Sequence, residues 1–556
     1  MHLRIKSFTS GQGWHWVVGF LAFVWVLLRS GTNPRRLTYP CQRAAIPIAA
    51  NWFLAVMAFF VGSVFLRKYA KFCGLAILVA GVIWFTGALP ELSESQLNPL
   101  ASLPGWEVDD PVSTVFVIDS IPPITGSLAA GDTTVPDEYL PDPAIDTLLM
   151  MMQTRGVFFH ETSDHPSGIV GADDIVIIKA NFQWTTRLTT NTDRIKGLIW
   201  QILEHPEGFS GEIIVCDNTQ DIGTGIDDSD NNSEDALQSI LDVVSTFFAK
   251  GYPVYCLGWV YIWDAVVSEY SDGDYADGYL YDTTTKVSYP KFRSPSGNHY
   301  ISLKHGIWDS LAAVYDPSRL CLIDFPVLKH HGRSGSTIAV KNWIGVLTTA
   351  YRDERYGGFE EMHNNYFFSP YALVSRVIEV TFPKLSIVDA TWTTHLWTAH
   401  TMRFTNTNTL VASTDPVAAS WYSAKFILTP IAHFPEQTNP DYPGGLYNVT
   451  LTNWTNFLRD STEFACTKDS FEMSVYNRAV MGPCGDANAD GEVNLSDVVY
   501  LINYILRSGP KPYPLDAGDA NCDAKVDIVD VVYLINYIFK GGPAPGDPND
   551  DGIPDC

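Results

Sequence analysis

No acidic residue occurs among the first 89 positions, and no two cysteines stand in a CxxC pair or in the close runs that hold iron-sulfur clusters, so the chain has no iron-sulfur motif. Basic residues are scarce overall, 36 Lys and Arg against 62 Asp and Glu. The resulting charge of −26 repels phosphate backbones, which excludes nucleic acid as a partner. That balance is uneven, because residues 1–89 carry only basic charges while the remainder is strongly acidic. The nine cysteines fall into three settings. Cys41 and Cys73 lie beside apolar runs, and Cys216, Cys256 and Cys321 lie in strand-like runs where a buried thiol is expected. Cys466, Cys484, Cys522 and Cys556 cluster near the C-terminus, where an oxidising exterior permits disulfides and a Cys484–Cys556 staple is one possibility.

What the N-terminal part does have is apolar length. Three runs, 14–28, 46–66 and 72–89, define a membrane segment over residues 1–89. The second and third are long enough to cross a hydrocarbon core of about 30 Å. The first fits either a signal-peptide core or a further span. Residues 90–111 read as a linker, polar and turn-forming. Counting basic residues leaves the orientation nearly tied.

Near the other end the chain repeats itself. Asp486–Leu506 and Asp519–Phe539 start 33 residues apart and agree closely, and each continues into an amphipathic helical pattern. Oxygen side chains occupy loop positions 1, 3, 5 and 12: Asp486, Asn488, Asp490 and Asp497 in one copy, Asp519, Asn521, Asp523 and Asp530 in the other. Position 7, Glu492 or Lys525, would supply a backbone carbonyl. A hard cation that takes six to eight oxygens requires such alternation in a tight loop, so each copy is expected to hold one calcium ion. Asp at position 12 and the absence of a helix before the loop depart from the EF-hand. Residues 485–541 resemble the type I dockerin, a small helical module with two EF-hand-like calcium loops. The resemblance implies a cohesin-type protein partner. Extracellular calcium modules bind at roughly 10⁻⁴ to 10⁻³ M, so it also implies a body on the extracytoplasmic side of the lipid bilayer. Residues 542–556 form an acidic tail.

Between these ends, from residue 112, apolar strand-like runs alternate with amphipathic helical patterns. Strands are expected over Thr114–Ile118, Asp174–Ala180, Glu212–Cys216 and Pro253–Leu257. Helices are expected from Asp142, around Ile195–Ile202, and from near Ser233 to Gly251. Runs buried on both faces and separated by helices predict an α/β domain with an open, mostly parallel sheet over 112–430, followed by a peripheral layer or connector over 431–484. Ligands of such sheets bind outside the carboxyl ends of the strands. Lys179, Asn181, Asp217 and Asp389 follow strand-like runs and are candidates for that crevice.

A second concentration is Leu328–Val346 (LKHHGRSGSTIAVKNWIGV), which sets Lys329, His330, His331, Arg333 and Lys341 among glycines in an otherwise acidic chain. Lys, Arg and His beside flexible backbone suit a small anionic ligand, a carboxylate or phosphate. A solvated basic loop is the alternative. No dinucleotide or P-loop fingerprint is present. This stretch, with IVIIKANF, LSIVDATW and LVASTDPVAASW in the same order, resembles the blocks of the bacterial and archaeal family known as domain of unknown function 362. The resemblance spans about 112–430 and falls on Lys179, Asn181, Lys329, His330, Thr337, Lys341, Asn342, Gly345, Asp389, Asp415 and Pro416. It implies a pocket without naming a reaction.

Three function classes stay open. The first is a membrane-anchored exterior protein whose α/β domain binds an anion or cofactor and whose dockerin docks it to a partner. The second is a dockerin-bearing glycoside hydrolase acting in polysaccharide breakdown, which draws on the aromatic stretch Tyr252–Tyr300 and the acids Asp264, Glu269, Asp272, Asp274 and Asp277. In that stretch a surface loop is the plainer expectation. The third is a non-catalytic surface scaffold.

Overall fold

The computed structural model divides the chain into two units, Met1–Asn98 and Pro99–Cys556. The structure describes residues 103–546 except 122–127, 129–130, 185, 220–225, 227–237, 370–371, 399–400, 463, 480–483, 489–492, 508, 510–511, 513–514 and 524. The three apolar runs, most of the linker and the acidic tail from 547 onward therefore lie outside the described residues. Among the described residues no helix is long and apolar enough to cross a membrane.

The central sheet grows from the apolar runs read in the sequence. Strands β1 (Ser113–Asp119), β2 (Ile175–Lys179), β3 (Glu212–Asp217) and β4 (Val254–Gly258) are joined by β10 (Leu320–Asp324), β11 (Val327–His331), β12 (Gly335–Thr337), β13 (Leu385–Thr398), β14 (Thr401–Ser413) and β15 (Met473–Ala479). Their main path runs β15-β1-β14-β13-β10-β2-β3-β4, with β11 against β13 and β12 against β11. The run β13-β10-β2-β3-β4 is parallel, while β14 pairs antiparallel with both β1 and β13. The sheet is therefore mixed. Alternate residues of the central strands enter two separate cores: Ile175, Ile177, Ile214 and Leu322 face one, and Val176, Ile178, Ile213 and Ile323 the other. That division is what the period of two demands of a sheet covered on both faces.

Helices α1 (Pro143–Thr154), α2 (Thr192–Leu203) and α3 (Ile240–Ala249) cover one face. Asp142 caps α1 by accepting from the N–H groups of Ala144 and Ile145 at 3.0 Å, with Pro143 at the first helical position as expected. The other face is covered by a short helix α4 (Ala339–Asn342), then α5 (Leu373–Val380), α6 (Pro416–Tyr422) and α7 (Leu446–Ser461).

Four expectations are corrected. Helix α3 begins at Ile240 rather than near Ser233, because Ser239 and Asp242 form a capping box there; 227–237 lies outside the described residues. Asp389 does not follow a strand end, since β13 continues for nine further residues; two register shifts let its polar run keep pairing with β14. The stretch expected as a surface loop leads into an antiparallel sheet, β5 (Gly278–Tyr281), β6 (Ser288–Arg293), β7 (Tyr300–Ser302), β8 (Gly306–Asp309) and β9 (Val314–Asp316), whose Tyr279, Phe292 and Ile301 are buried in the main core. Residues 431–484 are not a connector. They supply β15, paired in register with β1, and α7, whose Trp454 is fully buried. Their Asn and Thr content hid a helix with Tyr447, Leu451, Trp454 and Leu458 on its inner face.

The C-terminal module has helices α8 (Leu495–Arg507) and α9 (Ile528–Lys540). Its small core is itself duplicated: Ala487, Val498 and Leu501 recur as Ala520, Val531 and Leu534.

Candidate functional site

The parallel arrangement of β2 and β3 brings Lys179 and Asp217 to adjacent strand ends, with Asn181 two residues beyond Lys179. The β11–β12 hairpin and α4 carry the glycine-interleaved stretch to the same place: Lys329 pairs across the hairpin with Thr337, and Lys341 and Asn342 follow on α4. The stretch is thus regular and buried structure, not a solvated loop. A cavity of about 450 Å³ opens here, lined among others by Asn181, Asp217, Thr337, Lys341 and Asn342. Five candidate positions from three separate chain segments converge on it.

Beneath the cavity the polar groups satisfy one another. Lys179 Nζ contacts Asp217 Oδ1 at 2.9 Å and donates to the Asn342 side chain at 3.1 Å and to the Ala180 carbonyl at 2.6 Å. The Asn342 amide donates to Asp324 at 2.7 Å and to the Lys179 carbonyl at 3.0 Å. Lys329 Nζ donates to Asn181 Oδ1 and to the Leu188 carbonyl, each at 2.9 Å. Burial raises the Asp324 carboxyl to about 7 against the pull of its Asn342 bond, and lowers Lys329 to about 7 despite the charge of Asp217.

Lys341 differs from the other two lysines. It is buried, its Nζ donates to Thr337 Oγ1 at 3.0 Å, and among the described residues no carboxylate pairs with it. Burial, with Lys329 nearby, pushes its pKa well below that of an ordinary lysine. Two histidines line the same cavity. Burial first, and then neighbouring cations, hold His363 near 4 and His331 well below the usual imidazole range. At the rim Arg333 pairs with exposed Glu360.

Other candidates are elsewhere. The His330 ring contacts Gln437 at 3.5 Å and accepts from the Trp397 N–H at 3.3 Å, away from the cavity lining. Asp389 accepts from the N–H groups of Asn191 and Thr391, and Asp415 caps α6 while accepting from Ser113 and Thr467, so both hold backbone in place. Of the adjacent pair His330 and His331, the expected candidate was His330, but it is His331 that lines the cavity. A strand alternates faces, so the lysine at 329 shares a side with 331, not 330. Nothing in sequence pointed to His363, Trp184 or Trp397. Of the hydrolase acids, Glu269 is engaged by Tyr315 and Ser302, and Asp277 accepts from the Arg293 N–H. Asp274 is held below the usual carboxylate range by backbone donors, opposite to the shift a general acid needs.

Gly345 shows how closely this site is built. A β-carbon there would lie 2.5 Å from Asp217 Oδ1 and 2.7 Å from Lys179 Nζ. Gly345→Ala is expected to destabilise the α/β domain by about 1–3 kcal/mol. Chemical denaturation followed by tryptophan fluorescence checks it; an unchanged midpoint would show that the ion pair has room to move.

In the C-terminal loops Asp486, Asp497, Asp519 and Asp530 are buried. Asp497 accepts from the N–H groups of Asn488 at 3.1 Å and Asn494 at 2.9 Å; Asp530 repeats this with Asn521 at 3.3 Å and Asp527 at 2.8 Å. Asp523 accepts from the N–H of Lys525. Asp490 and Glu492 lie outside the described residues. Burial, with Asp519 adding repulsion, raises the Asp530 carboxyl. Among the described residues no three His, Cys, Asp or Glu side chains gather as a metal cage. The donor set of buried and loop carboxylates with amide oxygens nevertheless fits a hard cation that would draw it together. Cys522 is disulfide-bonded, and Cys556, the other half of the expected Cys484–Cys556 staple, lies outside the described residues.

Two family models match. Residues 289–425 match the domain of unknown function (DUF362), and residues 484–539 match the type I dockerin domain. The chain is thus similar to DUF362 in its middle part and to the type I dockerin near its C-terminus. No curated protein matches it. The DUF362 match is narrower than the expected 112–430: it includes Lys329 to Asn342 and both cavity histidines, while Lys179, Asn181 and Asp217 precede it. Type I dockerins bind calcium and cohesin partners, with which the oxygen-bearing duplicated loops are consistent.

Proposed function

We propose that the α/β domain binds a small anionic ligand in the cavity at the ends of β2 and β3, and that the dockerin attaches it to a cohesin-type partner outside the cytoplasm. The observation that carries the pocket reading is Lys341, a buried cation-forming group with no carboxylate partner among the described residues, beside His331 and His363 in a chain of charge −26. An entering anion supplies the missing counter-charge. Calcium in the millimolar range supports an exterior location, and the apolar, acid-free residues 1–89 support a membrane anchor. On the dockerin, Val499 and Val532, with Leu506 and Phe539, are exposed at matching positions of the two helices; beside Tyr500, Asn503, Tyr504 and Tyr533, Asn536, Tyr537 they form the surface offered to the partner.

The test is calorimetric titration of the full-length chain with inorganic phosphate and with acetate at several pH values. Charging Lys341 in the complex takes up a proton, so affinity falls as pH rises, by at most about tenfold per pH unit for one proton. The heats should also vary with buffer ionisation enthalpy. Absence of millimolar binding, or binding unaffected by Lys341→Met, would exclude this pocket as the anion site.

A further inference from the structure

The two cavity histidines are fixed in opposite tautomers. His331 Nδ1 accepts from the backbone N–H groups of Arg333 at 3.2 Å and Ser334 at 3.3 Å, so in the neutral ring the proton is on Nε2, a donor. His363 Nδ1 lies 2.8 Å from the Phe359 carbonyl oxygen and must donate to it, which leaves Nε2 as an acceptor. Both rings line the cavity with Lys341. An amine without a carboxylate partner among the described residues, one imidazole donor and one imidazole acceptor therefore line a single cavity. The pair holding Arg333 at the rim is solvent-exposed on the Glu360 side, and such pairs contribute little, so an arriving carboxylate competes with Glu360 at small cost.

We propose that Lys341 is a carbonyl-capturing amine and that the cavity takes small carboxylates bearing an adjacent carbonyl, the 2-oxo acids, held as an imine. This rests on the anion-pocket reading and names its ligand class. The Lys341 nitrogen adds to the carbonyl carbon, and the carbonyl oxygen becomes the carbinolamine hydroxyl. That hydroxyl then leaves as water, taking its second hydrogen from the nitrogen, and a C=N bond replaces C=O with no net oxidation or reduction. His363 Nε2 takes the proton released by the attacking amine, and the His331 Nε2–H donates to the departing oxygen. An amine in this setting is nucleophilic at neutral pH, whereas a surface lysine is neutral in fewer than about one molecule in a thousand.

The experiment incubates the full-length chain with pyruvate as the probe and sodium cyanoborohydride as the reductant, and maps the reduced adduct by peptide mass spectrometry. Lys341 should be labelled roughly tenfold or more above the surface lysines, from its greater neutral fraction, and above Lys329, whose amine is held by Asn181 and the Leu188 carbonyl outside the cavity lining. Lys341→Arg, which keeps a cation and removes the nucleophile, should lose that adduct alone. Equal labelling across the lysines, or a mapped adduct elsewhere, overturns the proposal, and the wild-type map decides this even if the variant does not fold. Lactate, which has the carboxylate and no carbonyl, separates the two readings. Lactate binding without a pyruvate adduct refutes the imine and leaves the anion pocket standing; neither binding refutes both.

Discussion

Lys179→Met is expected to destabilise the α/β domain by about 3–5 kcal/mol, the usual consequence of leaving one member of a buried ion pair without its partner. The pair with Asp217 is almost wholly removed from water, at side-chain exposures of 2% and 3%. Methionine fills the volume of the lysine stem, so the loss is not a cavity effect. It comes from the Asp217 carboxylate, which retains the N–H donors of Phe182 and Asn218 and loses its ion-pair partner among the described residues, and from the Asn342 oxygen, which loses the Lys179 donor and keeps that of Asn181. Electrostatics and packing are separable here. The double variant Lys179→Met, Asp217→Asn removes the orphaned charge and should recover part of the loss, so the two changes will not add. Urea denaturation of the single and double variants measures this. A single variant within about 1 kcal/mol of the wild type would mean that water reaches Asp217 and the pair is not buried in solution.

The parts of this fold legible in sequence are those in which local pattern and global burial agree. DIVIIKA and EIIVC read as strands because both faces are covered, and Asp142-Pro143 reads as a helix start because cap and first-turn chemistry are local. The duplicated loops were legible for the same reason, with ligand spacing set within one loop. What escaped was set by distant partners. Strand β14, with its sequence TMRFTNTNTLVAS, has no apolar residue over its middle five positions, 405–409, and is a strand because β13 pairs with it. The pocket was half legible. Lys341, Asn342 and Thr337 were found, yet their neighbours on the cavity wall, His363 and Trp397, come from segments whose approach depends on tertiary packing. Asp389 and Asp415 show the converse: a carboxylate in a family block serves equally to cap backbone, and sequence does not distinguish the two uses.

Removing calcium is expected to unfold the dockerin while leaving the α/β domain intact. Among the described residues the module's core cluster is six buried apolar side chains, Ala487, Val498, Leu501 and their repeats Ala520, Val531 and Leu534, three from each copy. Domains this small seldom gain more than about 3–5 kcal/mol from core burial alone. In the second loop buried Asp519 repels buried Asp530, and the first loop carries buried Asp486 and Asp497 at the same two positions, so like charges oppose closure unless a cation lies between them. An ion present at a hundred times its dissociation constant adds about 2.7 kcal/mol, so two ions contribute as much as the core itself. Calorimetry of the full-length chain should therefore show two transitions in millimolar calcium, of which only the dockerin's disappears with a chelator, together with cohesin binding. Asp490→Ala with Asp523→Ala, at position 5 of each loop, should reproduce the chelated state in the presence of calcium. Identical melting curves with and without chelator would mean that the six-residue core suffices, and that the buried carboxylates are held by their backbone donors rather than by an ion.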